Sequence, residues 1–377
     1  MRIEPFLMER WQSTWEHEVE FNLSDSGVHP VDLRELLEGP EEFEELQDQR
    51  LVYTQTNGTP ELRRLVAGLH PGASEDEVLI TNGGAEANFI AAWTLLEPGD
   101  EVVMMLPNYM QLYGLVRHFG AVIRPWRLEP RFATGRWSAD PGALAELVTP
   151  RTKLIVLCNP NNPTGARLDE STLDAVCRAA ERHGAWVLCD EIYRGTDLDG
   201  GSTPTVWGRT ERAIVTGSLS KAYGLPGLRL GWVVAPRKTI EMLWAQRDYT
   251  TIGPGALSDF LARKALRPAT RARLLERARA LLIGNYALVS AWLERHPGTL
   301  EHVPPAAGAM LYLCYANGLN STALAERLRD EQSVLVVPGD HFRMDGWLRI
   351  GFGSEAHVVE RGLERVDELL RSLEGRA

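Results

Sequence analysis

Short apolar runs alternate with amphipathic stretches through the middle of the chain. Glu77–Thr81, Glu101–Leu106, Val122–Trp126, Lys153–Cys158, Trp186–Cys189, Ala213–Thr216 and Leu230–Val234 are apolar without strict alternation. That is what strands covered on both faces require, as in a parallel sheet. Between them, Glu86–Leu96, Tyr109–Phe119, Pro141–Leu147 and Glu170–His183 carry helical patterns. The alternation predicts an α/β fold, a three-layer α/β/α core on a mostly parallel central sheet. From about Leu257 the character changes. A long Arg-rich helical pattern starts near Pro268 and runs to about His296, with Leu274, Leu275, Leu281, Leu282, Tyr286, Leu288 and Val289 near helical spacing. It is expected to bridge two lobes. Strands at Ala309–Cys314, Val334–Val337 and Trp347–Phe352, with helices at Leu324–Glu331 and Val358–Leu373, then make a smaller α+β lobe. The expected division is a segment over 1–35 that joins the small lobe, a large domain over 36–268, and the bridging helix with the small domain over 269–377.

Composition narrows the function classes. The chain has 377 residues, 44% hydrophobic and 24% charged, enough for a large packed core. Its net charge of −11 would repel a phosphate backbone, so nucleic acid is not an expected partner. Any phosphate-bearing small molecule must instead meet a few local cations and N–H groups. No apolar run approaches the roughly 18 residues of a membrane span, and the Glu-rich N-terminus does not read as a signal peptide. Cys158, Cys177, Cys189 and Cys314 lack metal-ligand spacing. The expectation is a reduced, cytoplasmic protein without a metal site.

Four pieces carry chemistry. Gly217–Trp232 reads GSLSKAYGLPGLRLGW. Here Lys221 follows a buried strand end, and a lysine can form an imine with an aldehyde once its amine is deprotonated. Ser218, Ser220 and Arg229 suit a phosphate, because hydroxyls donate and a guanidinium grips two oxygens. Asn159–Gly165 (NPNNPTG) follows a strand at its C-terminal edge, where α/β folds bind ligands. Asp190-Glu191-Ile192-Tyr193 follows the next strand; a carboxylate there can pair with a ring nitrogen and a phenol can donate to a ring oxygen. Asn82–Asn88 (NGGAEAN) is a Gly-rich turn into a helix, which offers free N–H groups to a phosphate. Taken singly, each also reads as a turn, an N-cap or a surface loop.

In this order they resemble fold-type I pyridoxal-5′-phosphate enzymes, in particular the class I/II aminotransferase family, from about Asn22 to Leu370. The resemblance implies pyridoxal 5′-phosphate as cofactor, held by Lys221 as an internal aldimine, and amino acid and 2-oxo acid substrates. It places Asp190 on the pyridine nitrogen, Tyr193 and Asn162 on the 3-oxygen, and Tyr109 on the face of the ring. Gly84, Ala85, Glu86, Ser218 and Arg229 would take the phosphate, with Ser220 a weaker member. Arg349, in WLRIGF, would hold the substrate α-carboxylate, with Asn162 and Gly27 beside it. Tyr53 would reach the phosphate of a neighbouring subunit, which implies a homodimer with shared active sites. One segment departs from the family's "LNxGxGxP" pattern: Asn22–Pro30 (NLSDSGVHP). It looks like capreomycidine synthase and its relatives, which act on arginine derivatives by elimination and cyclisation. Glu16, Glu18, Glu20 and Asp25 could meet a guanidinium, although the same cluster reads as a solvated helix face. A ligand-sensing domain fused to a DNA-binding head is a third reading, and the acidic N-terminus argues against it.

Overall fold

The computed structural model describes residues 3–374. Its strands are β1 (Phe21–Asn22), β2 (Val78–Thr81), β3 (Glu101–Leu106), β4 (Val122–Arg131), β5 (Arg136–Ala139), β6 (Thr152–Cys158) and β7 (Trp186–Asp190). Then follow β8 (Ala213–Ser218), β9 (Gly231–Val234), β10 (Leu300–His302), β11 (Met310–Tyr315), β12 (Val334–Leu335), β13 (Val337–Pro338) and β14 (Trp347–Gly351). Among the described residues they form three sheets. The largest has eight strands in the order β2-β9-β8-β7-β6-β3-β4-β5. Neighbours from β4 through β3, β6 and β7 to β8 are parallel. Only β9, antiparallel to both β2 and β8, and the β4–β5 hairpin break the pattern. The mostly parallel, helix-covered sheet expected from the apolar runs is present, and every residue of β2, β3, β8 and β9 is buried.

Two expectations change. The strand begun at Val122 runs on to Arg131 and pairs with β5, a strand that the continuous apolar runs do not mark. This outer part is covered on one face, so Trp126 and Leu128 are buried while Arg127 and Glu129 are exposed; its alternating pattern lacks the continuous apolar run that marked the inner strands. The expected strand Val334–Val337 is two strands, because Val334–Leu335 pairs with β1 whereas Val337–Pro338 pairs with β14.

The apolar side chains form two main clusters. One surrounds the large sheet. The other gathers Trp11, Phe21 and Leu23 with β11, β14 and the helices Ser321–Gln332 and Ala356–Glu374. The helix Pro268–Leu293 feeds both, with Leu274 in the first and Leu282, Val289 and Trp292 in the second. The chain's N-terminal helix, Leu7–Trp15, lies over the junction: Met8 belongs to the first cluster and Trp11 to the second. The C-terminal edge of the parallel strands opens at this junction. Among the described residues, no helix is long and apolar enough to cross a membrane, and no group of three or more metal-ligating side chains is found.

Candidate active site

β7 ends at Asp190, whose carboxylate is buried and faces the helix Gly84–Leu95. It accepts from Asn88 Nδ2 at 3.0 Å and from the Ile192 N–H at 3.1 Å. Burial pushes its pKa up to about 6, against the pull of those two donors. The deficit is what a cationic partner would relieve. Asn88 is itself fixed by Thr216 Oγ1, which donates to its side-chain oxygen at 2.8 Å.

Three residues further, the Tyr193 hydroxyl lies 3.2 Å from Asn162 Nδ2 and 2.8 Å from Ser26 Oγ. Burial pushes its pKa up to about 12, so it remains a phenol that can donate. Asn162 turns its other face to Arg349, accepting from Nη1 at 2.8 Å. Arg349 is fully buried on β14, between the Ser24 carbonyl at 2.6 Å and Met8 Sδ at 3.4 Å, and its Nε has no partner. A buried guanidinium with an idle donor is poised for a carboxylate. Tyr109 closes one wall, with its hydroxyl on Glu9 at 2.8 Å and its ring edge-on to Phe6.

The cradle for a phosphate lies at the start of helix Gly84–Leu95. Gly83 holds φ at +86°, and a Cβ on Gly231 would strike the Gly83 carbonyl carbon and the Gly84 nitrogen at 2.5 and 2.6 Å. The backbone of β9 therefore passes directly under the helix N-terminus. The Gly84, Ala85 and Glu86 N–H groups point out of the first turn with no intrahelical acceptor. The Arg229 guanidinium converges on Gly83, and Ser218 packs beside Gly84. Arg229 sits in the left-handed region at φ +46°, a costly conformation for a non-glycine residue and one that clusters at functional sites. Ser220 stands a step back: its N–H donates to Ser218 Oγ. The carboxylate of Glu86 would repel a phosphate if it faced forward. It turns away, accepting from the Asn82 N–H, Thr250, Thr251 and the buried Arg247.

Lys221 lines the same narrow cleft as Asp190, with Met8, Glu9, Gln12, Ser26, Cys158 and Ile192. Its Nζ donates to Asp25 Oδ1 at 2.8 Å. Gly27 is packed against its stem, since a Cβ there would meet Lys221 Cδ at 3.2 Å.

The fold thus brings together Lys221, Asp190, Tyr193, Asn162, Tyr109, Gly27 and Arg349, with the cradle residues beside them. Tyr53 is not among them; it is 89% exposed on the surface. The acidic cluster of the N-terminal segment divides. Asp25 reaches Lys221, Glu20 lies 3.6 Å from Arg361, and Glu16 borders an outer groove. Sequence reasoning missed Asn88, Ser26, Glu9, Met8 and Arg247. Asn88 was the most findable of these, one helical turn past Gly84 and on the face that meets β7.

Comparison with known proteins shows what the whole chain is similar to. The family described as aminotransferase class I and II matches residues 25–366. Capreomycidine synthase of Streptomyces vinaceus is 32% identical over 98% of this chain and 93% of that protein. Among solved structures, a PLP-dependent aminotransferase from Streptococcus suis superposes with a TM-score of 0.92 at 33% identity, covering 99% of both chains. The PLP-dependent cyclase OrfR superposes with a TM-score of 0.88 at 26% identity, over 100% of this chain and 99% of that one.

Proposed function

This chain belongs to the class I and II aminotransferase family and is a pyridoxal-5′-phosphate enzyme, and from that premise we propose that it takes the Cα proton of an α-amino acid onto Lys221 and transfers the amino group to a 2-oxo acid. The observation that supports the reading most is the placement of Lys221, Asp190, Tyr193 and Asn162 in one cleft, with Arg349 donating to Asn162 from Nη1 and its Nε unpartnered, beside a helix N-terminal phosphate cradle.

The residues fit the cofactor. The buried, under-neutralised Asp190 would hold a protonated ring nitrogen, and Tyr193 with Asn162 would hold the ring's 3-oxygen. Tyr109 would flank the ring. The first-turn N–H groups of Gly84, Ala85 and Glu86, with Ser218 and Arg229, would hold the phosphate. When bound, the cofactor supplies a sink for the electron pair left at Cα. Arg349 binds the α-carboxylate in a fork and so fixes which bond at Cα faces Lys221. The Lys221 amine accepts the proton from Cα and returns it. Packing of Met8, Ile192 and Tyr109 keeps water from competing for that proton.

A second reading, elimination and cyclisation of an arginine derivative, is favoured by the similarity to capreomycidine synthase and by Glu9, a carboxylate on the cleft wall that could meet a guanidinium. One experiment separates the two. The purified holoenzyme is given single amino acids, arginine and hydroxyarginine included, with and without 2-oxoglutarate, and the products are weighed. Transfer yields an oxo acid and glutamate in equal amounts, and sustained turnover needs the acceptor. The second reading yields, without acceptor, a product lighter than hydroxyarginine by one water. Turnover that survives Lys221→Ala would reject both.

A further inference from the structure

Asp25, which meets Lys221 Nζ, lies outside the set of residues assigned above to cofactor and substrate. Its geometry is fixed from several sides. Asp25 Oδ1, besides the Lys221 ammonium, accepts the N–H of Ser26 at 2.6 Å and of Gly27 at 3.0 Å, a local turn that pins the carboxylate. The Val28 N–H donates to the Lys221 carbonyl at 3.2 Å, and the His29 N–H to the Gly353 carbonyl at 2.6 Å. The loop is therefore tied to the lysine's own backbone and to the end of β14. The remaining charged and titratable neighbours come from other elements: Tyr193 after β7, Arg349 on β14, and, bordering the outer groove beside Asp25, Glu16, Glu20 and His29. Among the described residues, Asp25 is the carboxylate within hydrogen-bond distance of Lys221 Nζ.

Two effects oppose each other at this nitrogen. Burial alone would drive a lysine toward the neutral amine, and Arg349 acts in the same direction. The carboxylate at 2.8 Å, aided by Tyr193, outweighs them and raises the Lys221 pKa. Asp25 shows the reciprocal effect: its surroundings push it up, but Lys221 and the two N–H groups hold it well below the usual carboxylate range. The Asp25 side chain keeps 52% of its surface open and that of Lys221 26%, so water screens the pair and its contribution to stability is small. Its effect is on the proton.

We propose that Asp25 is a positioning residue for catalysis, the carboxylate that receives the Lys221 ammonium formed when the amine takes the Cα proton and steadies it until that proton is given back. The balance is simple. When Lys221 takes the Cα proton, the C–H bond breaks and an N–H bond forms, and the new cation is held against Asp25. When the proton is delivered, the N–H bond breaks and either a C–H bond forms, or an O–H bond forms while the substrate's C–O bond breaks and the Cα electron pair becomes a C=C bond, and Asp25 is left facing a neutral amine. A charged Asp25 makes delivery to a leaving group competitive with simple shuttling. The catalytic role and the spectroscopic test rest on Lys221 as the lysine that moves the Cα proton, the reading given above, whereas the acetylation test reads the Asp25–Lys221 pair by itself.

The test compares Asp25→Asn with the wild type by two readouts. Asn keeps a side-chain oxygen for the Ser26 and Gly27 N–H groups, and Asp25→Ser serves in its place if that variant fails to fold. In cofactor-free protein, competitive acetylation with acetic anhydride, read by peptide mass, gives the pH at which Lys221 becomes reactive. In protein reconstituted with pyridoxal 5′-phosphate, the visible absorption band is titrated with pH. Both midpoints should fall by about one pH unit or more on loss of the facing charge, and Asp25→Glu should restore most of the shift. Midpoints equal to the wild-type values in the neutral variant would overturn the proposal. A shifted acetylation midpoint in a protein that forms no visible band would instead support Asp25 and reject the cofactor assignment.

Discussion

At the scale of single residues, the site is a set of buried polar groups each left one partner short. Asp190 lacks a cation, Arg349 Nε lacks an acceptor, and the first-turn N–H groups lack an anion. Groups of this kind are costly to bury unpaired, and a ligand that pairs with them stabilises the fold by mass action. Arg349 gives the clearest prediction. Lysine at this position keeps the charge but loses the planar fork. Arg349→Lys should therefore raise KM for the amino acid by roughly 10–100-fold, the worth of a charge-assisted hydrogen bond, with kcat changed far less. Steady-state kinetics at varied amino acid measures both. An equal fall in kcat with KM unmoved would show that Arg349 does not bind the substrate.

Among the elements, the N-terminal helix Leu7–Trp15 connects the two clusters and the cleft. Trp11 anchors it, donating to the Val336 carbonyl at 2.8 Å under the Arg329 guanidinium, while Met8, Glu9 and Gln12 face the site. Trp11→Ala removes a buried indole and should weaken the docking of this helix by about 3 kcal/mol. Because cleavage of a closed segment follows the population of its open form, trypsin should then cut at Arg10 about tenfold faster or more. Binding of the amino acid should slow that cleavage again, since Met8 covers Arg349. Wild-type rates of cleavage would show the helix is held by something other than Trp11.

On the whole-molecule scale, the exposed apolar residues Leu51, Val52, Tyr53, Tyr249 and Ile252 lie in two chain segments that meet where Thr54 Oγ1 donates to the Pro254 carbonyl at 2.9 Å. A surface so apolar is expected to be covered, and we propose a second copy of the chain as its cover, with Tyr53 completing the partner's phosphate site. Mixing inactive Lys221→Ala with a Tyr53→Ala variant of weakened cofactor retention should then produce hybrid dimers with one site free of either substitution. Activity recovered on mixing, in a species of twice the chain mass by light scattering, is the expected outcome. A monomer with full activity would exclude a shared site.

Local sequence was enough to reveal the inner sheet strands, because burial on both faces leaves continuous apolar runs in β3, β6, β7 and β8. It also placed the two chemical turns, NPNNPTG and DEIY, at strand ends, and put Lys221 and Arg229 in one motif. The long helix expected from near Pro268 is present as Pro268–Leu293. The sequence could not show that Val334–Val337 divides between two sheets, since all four residues are apolar and pairing depends on distant partners. Nor could it single out Asp25 from Glu16, Glu18 and Glu20. Four carboxylates within ten residues look alike along a chain, and only the seating of the N-terminal loop against β14 and Lys221 decides which one meets the ammonium. Residue type and short-range spacing determine which groups can do the chemistry; which charge faces which is a long-range property, set when strands and loops far apart in sequence pack together.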